Sequence, residues 1–164
     1  MPDGPQNRMN LLKTLGFAVL IPGTVVGWVP YWLISTHREL YQADWGPLRW
    51  LGVPIFLTGI LLAGWSAWDF VFHGHGTPAP NDPPKQLVAQ GPYRFVRNPM
   101  YWGVFLSLLG ESVYFGSGTL LLYAVLLLTG FHLFTILYEE PVLRRTFGDA
   151  YVEYCQRVPR WWPA

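Results

Sequence analysis

Charged residues in this chain fall in clusters, and long runs between the clusters carry none. The charge-free runs are 14–37, 50–68, 98–110 and 112–138. A membrane-spanning helix needs about 20 mostly apolar residues. The pattern predicts four spans, at 15–35, 48–72, 100–115 and 119–138, the third at the low edge of that length. Pro22 and Pro30 are expected to bound or kink the first span. Trp28, Tyr31 and Trp32 near its far end fit an interfacial belt. The second span ends in Trp65, Trp68 and Asp69, with Asp69 expected at headgroup level, where it needs no buried partner. The third and fourth spans should form a hairpin across Gly116-Ser117-Gly118. Pro141 lacks an N–H and crowds the preceding turn, so a kink is expected at Glu139-Glu140-Pro141. Beyond it Leu143, Phe147, Tyr151 and Tyr154 recur at helical spacing, as in an amphipathic helix at an interface. The fold class is therefore all-α: a single-domain polytopic membrane protein over 1–164, with about four transmembrane helices and a C-terminal amphipathic helix.

The densest chemistry lies in 87–103, LVAQGPYRFVRNPMYWG. Gly91-Pro92 reads as a turn. Asn98 followed by Pro99 reads as an N-cap and first helical position. The exposed N–H groups and positive dipole end of that helix suit a carboxylate or phosphate, with Arg97 beside it. Gly103 bares the backbone one turn in, where a ligand could lie close. A plainer reading is a capped helix with Arg94 and Arg97 at the headgroups.

Composition agrees with a membrane protein: 51% hydrophobic, 17% aromatic and only 13% charged residues, against roughly 25% charged in soluble domains. A net charge of +1 makes no case for nucleic acid. Cys155 is the single cysteine, which excludes an internal disulfide and a Cys-rich zinc site. His37, His73, His75 and His132 have no metal-site spacing, so no metal is expected. Residues 74–79 formally fit G-x-G-x-x-A but follow a membrane helix and contain Pro78, so they are no dinucleotide fingerprint. The first span lacks a small-x-small cleavage signal and is read as retained rather than as a signal peptide. Glu111, an acid inside an apolar run, is a functional candidate by default, although it is near enough to the far end to reach water. His132 lies nearly two turns before Glu139, where a hydrogen-bonded packing role is the simpler reading.

Of the eleven basic residues, nine fall on one side if the N-terminus is cytoplasmic, and only Arg38 and Arg49 on the other. The positive-inside rule then places both termini, 74–99, Glu139-Glu140 and the C-terminal helix in the cytoplasm. The expected location is a prokaryotic cytoplasmic membrane, with the lipid bilayer as partner.

GPYRFVRNPMYWG together with EEPVLRRTFGDAYVEYCQRVPRWWP resembles the isoprenylcysteine carboxyl methyltransferase family and its relatives, the phospholipid N-methyltransferases. The family pattern runs R-H-P-x-Y-x-G, then E-E-x-x-L, F-G-x-x-Y-x-x-Y and V-P. The likeness covers about 77–163, the cofactor-binding half. It implies a membrane-embedded methyltransferase using S-adenosylmethionine, with a lipophilic acceptor arriving sideways from the bilayer. By this resemblance Lys85, Gln86, Leu87 and Val88 form one cofactor-contacting group. Tyr93, Asn98, Pro99, Met100 and Tyr101 form a second, joined by Gly103, Glu139 and Glu140. Arg97 and Glu139 are the expected catalytic residues, and Thr135 and His132 the expected acceptor wall. Asn98 stands where the family often has His and cannot act as a base. Thr135 stands where the eukaryotic carboxyl methyltransferases have a substrate-holding arginine. That departure points to an acceptor other than a prenylcysteine carboxylate. A phospholipid amine methyltransferase and a non-catalytic protein retaining the fold stay open as alternatives.

Overall fold

The computed structural model describes residues 16, 22–36, 42–44, 46–74 and 86–162, and among these the regular structure is helical. A π-helical turn, Thr24–Trp28, leads into α1 (Val29–Thr36). A 3-10 turn, Gly46–Leu51, runs into α2 (Gly52–Phe72). After the short 3-10 turn Gly91–Arg94 come α3 (Pro99–Phe115) and α4 (Gly118–Phe134). A second π-helical turn, Thr135–Glu139, joins α4 to α5 (Glu140–Phe147), and α6 (Asp149–Arg157) follows.

Among the described residues, two stretches are long and apolar enough to cross a membrane: Gly46–Phe72, 27 residues, and Gly118–Phe147, 30 residues. The other two expected spans differ. Residues 15 and 17–21 of the first lie outside the described residues. The third, α3, has 17 residues and is the best shielded helix, with Ser107 and Leu108 both at 0% exposure. Its apolar character, broken only by Glu111, reflects burial between α2 and α4 as much as any contact with lipid.

The α2–α3 seam is built from small residues. A Cβ on Gly59 would lie 2.4 Å from the Ser107 backbone nitrogen, and one on Gly103 2.6 Å from that of Ala63. Gly52 and Gly110 meet in the same way. Small residues let two backbones touch, which is how apolar helices gain packing energy where no water is expelled. The open side of Gly103, expected to face a ligand, is thus filled by α2. The Ser107 hydroxyl donates to the Gly103 carbonyl at 2.9 Å, so this hydroxyl is satisfied within the seam.

The hairpin between α3 and α4 forms as expected. Gly116 ends α3 at φ 63°, a left-handed conformation suited to glycine. The Ser117 hydroxyl caps α4 by accepting from the Leu120 N–H at 3.1 Å. Ala43 donates its N–H to the Gly116 carbonyl at 2.9 Å, placing the first connector at this end. Here too lies a cleft of about 380 Å³ lined by Gln42, Ala43, Asp44, Arg49, Tyr114 and Phe115, none of them an expected site residue.

At the opposite end the helix runs continuously through Pro141, from Gly118 to Phe147, and the expectation for Asp69 is corrected. The π turn places an i→i+5 bond from the Glu140 N–H to the Thr135 carbonyl just ahead of the proline. A π turn beside a proline is a place where helices bend, so the expected kink and the continuous helix are compatible. Trp28-Val29-Pro30 repeats the device, with Val29 donating to Thr24. Asp69, expected at headgroup level, is 3% exposed. It pairs with His73 Nδ1 at 3.2 Å and lies under Gly91, where a Cβ would fall 2.0 Å from Oδ2. Gly91, at φ 52°, is therefore required by both its conformation and its neighbour.

Candidate active site

Glu139 and Glu140 are adjacent in sequence yet have separate surroundings. Glu139 Oε1 accepts from the Tyr101 hydroxyl at 2.5 Å, and Oε2 accepts from the Thr135 hydroxyl at 3.2 Å. The Tyr101 ring stacks on Phe131 with centroids 4.3 Å apart. Glu140 instead lies between two guanidinium groups. Its Oε1 accepts from Arg97 Nη1 at 2.9 Å and from Arg160 Nε at 2.6 Å, while Oε2 accepts from Arg160 Nη2 at 2.9 Å. The two-point Arg160 grip has the geometry that makes arginine–carboxylate pairs strong. The hydrogen bond to Glu140 also holds the Arg160 guanidinium above its ordinary pKa.

Arg97 is committed within this cluster. Its Nη1 also donates to Cys155 Sγ at 3.0 Å, and its side chain is 13% exposed. The expected catalytic arginine is thus occupied by Glu140, and Glu140, expected at the cofactor, is occupied by Arg97 and Arg160. Their geometry is that of a clamp tying α3, α5 and the C-terminal segment together.

The N-terminus of α3 also differs from expectation. Asn98 occupies the N-cap position and Pro99 the first turn, but the Asn98 side chain does not cap the helix. Its amide donates to the Arg160 carbonyl at 3.2 Å instead. The first turn of α3 is consequently without a side-chain cap, and Tyr101, in that turn, is the residue that holds Glu139.

The preceding loop contributes several residues to the core. Leu87 packs against Tyr151, Tyr154 and Val158, and Val88 is buried. Tyr93 is 6% exposed, its ring edge-on to Phe70 and its carbonyl accepting from the Tyr154 hydroxyl at 2.6 Å. Burial pushes both phenols above their ordinary pKa, so Tyr154 stays protonated as a donor. Gln86 is exposed, Met100 is half-buried, and Lys85 lies outside the described residues.

Thr135 and His132 are placed differently from each other. Thr135 is 2% exposed and bonded to Glu139. His132 Nδ1 accepts from the Trp161 indole at 2.9 Å. Sequence reasoning missed the C-terminal segment that makes this contact. The Arg97 N–H donates to the Pro159 carbonyl at 2.9 Å, and the Trp102 indole donates to the Trp161 carbonyl at 2.8 Å. Only the fold shows the chain end, with Arg160 and Trp161, returning to α3.

These features define a class: a helical protein with two membrane-length helices and, at one end, a carboxylate held against the first turn of a helix. Residues 48–150 match the family model described as Phospholipid methyltransferase, and the chain belongs to this family. It is 30% identical over 130 residues to the protein-S-isoprenylcysteine O-methyltransferase of Schizosaccharomyces pombe, covering 79% of this chain and 52% of that one. It is 35% identical over 74 residues to protein-S-isoprenylcysteine O-methyltransferase B of Arabidopsis thaliana, covering 45% of this chain and 38% of the relative. The chain thus spans about half, or less, of the length of these relatives.

Proposed function

We propose that this protein is a membrane-embedded methyltransferase that uses S-adenosylmethionine to methylate a lipophilic acceptor at the cytosolic face. The observation that carries the reading is the pairing of Glu139 with Tyr101 in the uncapped first turn of α3. An amino-acid moiety has an ammonium and a carboxylate. A buried-edge carboxylate suits the first, and a helix N-terminus with free N–H groups suits the second. The donor set at this end of the bundle therefore fits the methionine part of the cofactor.

When bound, S-adenosylmethionine supplies an electrophilic methyl group on a sulfonium. The chain's own task is to bind and orient. Glu139, fixed by Tyr101 and Thr135, holds its carboxylate in one direction. Tyr101 and Phe131 form an aromatic floor that favours a cationic or planar group. In-line methyl displacement needs alignment above all, and positioning of this kind accounts for much of the rate in such reactions. Arg97, Glu140 and Arg160 hold the frame.

The acceptor wall favours an apolar thiol or a lipid amine. Thr135 is buried and already bonded to Glu139. Of the nearby basic residues, Arg144 and Arg145 are exposed, and Arg157 pairs with Glu153 at 3.6 Å. The family description supports the lipid amine as the second reading.

Purified protein supplied with radiolabelled S-adenosylmethionine should methylate decanethiol or phosphatidylethanolamine in preference to N-acetyl-farnesylcysteine. Efficient ester formation on farnesylcysteine alone would overturn the acceptor assignment. Absence of both labelled product and saturable S-adenosylhomocysteine binding would overturn the enzyme reading.

A further inference from the structure

We propose that the cleft beside the α3–α4 hairpin binds the headgroup of a phosphatidylethanolamine, whose acyl chains lie along the outer face of α2. This lipid site is at the end of the bundle away from Glu139. It involves no methyl donor, so it stands apart from the methyl-transfer reading.

The cleft, of about 380 Å³, lies where the first connector meets the hairpin. Backbone contacts fix its walls. Ala43 donates its N–H to the Gly116 carbonyl at 2.9 Å, and Gln42 pairs antiparallel with Ser117. A Cβ on Gly116 would overlap the Ala43 carbonyl oxygen, so connector and hairpin meet backbone to backbone.

Two opposite charges line this cleft, those of Asp44 and Arg49. The Arg49 guanidinium lies over the Tyr114 ring, 4.6 Å from its centre, and Trp50 meets the same ring edge-on at 5.4 Å. A guanidinium stacked on a ring keeps the N–H groups at its edge for a phosphate. Asp44 is held by its own turn, its Oδ1 accepting from the Gly46 N–H at 2.9 Å. Among the described residues, Asp44 and Arg49 form no ion pair with each other. A ligand that joins an anion to an N–H cation satisfies both. Phosphoethanolamine does this, with its phosphate on Arg49 and its ammonium on Asp44. A phosphoglycerol headgroup brings no cation to Asp44, and the quaternary nitrogen of phosphocholine has no N–H to donate.

The surface next to the cleft suits the rest of a lipid. Trp50, Val53, Leu57, Leu61, Trp65 and Trp68 recur every three or four residues and all are exposed, Leu61 by 73%. Helical spacing puts the α2 members on one face, opposite the Gly59–Ala63 side that packs on α3. This stripe starts at the residue beside Arg49 and follows a helix long enough to cross a membrane. Headgroup and chains thus meet complementary surfaces in one continuous run, with tryptophans at both ends as at bilayer interfaces.

The test is native mass spectrometry on the full chain, delipidated in detergent. It is titrated with dioleoyl-phosphatidylethanolamine, -phosphatidylglycerol or -phosphatidylcholine, or with free phosphoethanolamine. The ethanolamine lipid should bind about fivefold or more tightly than the other two, and Arg49→Gln should weaken it by a similar factor. Asp44→Asn should erase the preference over phosphatidylglycerol without weakening that lipid. Free phosphoethanolamine, having no chains to bury, should bind at least about tenfold more weakly than the lipid. Leu61→Asn should weaken the lipid alone. Phosphatidylethanolamine is also a candidate acceptor, so the position is read separately with a lipid carrying a diazirine at the headgroup. Its crosslinks should fall on residues 42–49 or 114–115. Equal binding of the three lipids overturns the site. So does unchanged binding by Arg49→Gln with an unchanged circular dichroism spectrum, or crosslinks confined to the Glu139 end. Free phosphoethanolamine binding as tightly as the lipid would give the cleft to a soluble phosphate compound and overturn the lipid.

Discussion

Glu139 and Glu140 show how much a single residue's surroundings decide. Both are acidic, they are adjacent, and both precede Pro141, but one is held by neutral hydroxyls and the other by two guanidinium groups. Their substitutions should therefore separate. Glu139→Gln should leave the fold intact and weaken S-adenosylhomocysteine binding roughly ten- to a hundredfold, the worth of a charge-assisted hydrogen bond of about 1.5–3 kcal/mol. Glu140→Gln leaves Arg97 and Arg160 facing each other without their counter-charge. Breaking such a shielded cluster costs about 3 kcal/mol, at the low end of the usual range because Arg160 is partly exposed. Thermal denaturation and isothermal titration on both variants check this. Equal losses of stability in the two would remove the distinction between site and clamp.

At the scale of elements, two features do the positioning. The π turn Thr135–Glu139 lets a proline sit inside a long helix while directing Glu139 at α3 and Glu140 at the C-terminal segment. The glycine seam fixes α3 against α2 at backbone contact, which sets where the first turn of α3 begins. Two glycine-to-alanine changes should have opposite outcomes. Gly103→Ala places a methyl 2.6 Å from a backbone nitrogen and should destabilise by about 1–3 kcal/mol. Gly130→Ala, with nothing within 4 Å of the added Cβ, should be neutral or stabilise by up to about 1 kcal/mol through helix propensity. Unfolding followed by circular dichroism in detergent measures both. A Gly103→Ala protein as stable as the parent would contradict the seam.

At the scale of the molecule, the described chain has two differently built ends. The first connector meets the α3–α4 hairpin at one end, through Ala43 and Gly116. At the other, Gln86 returns to Gly74 at the end of α2, near the loop that leads into α3. From the nine-to-two division of basic residues we propose that the first of these ends is extracytoplasmic and the second cytoplasmic. In a Cys155→Ala background, a cysteine at Gln42 should label from outside the cell and one at Gln86 only after permeabilisation. The reverse pattern would invert the assigned orientation.

The amino-acid sequence by itself determined the helical class, the α3–α4 hairpin and the family. Each rests on local signals: charge-free runs, Gly116 and Ser117 at a helix junction, and motif residues at fixed spacing. It also singled out Glu139, Tyr101 and Thr135, which the fold brings within hydrogen-bond distance. Only the tertiary structure decided the assignments that depend on distant partners. Asn98 looked like a cap because capping is a local preference, yet a carbonyl 62 positions away engages its amide. Gly103 looked open to a ligand because sequence does not show the helix packed against it. Arg97 looked free for catalysis until Glu140 and Cys155 were placed beside it. In sequence the C-terminal segment is aromatic and basic, a composition that suits headgroups. Its return to α3 and α4 follows from hydrogen bonds that local sequence does not encode, and those bonds complete the site.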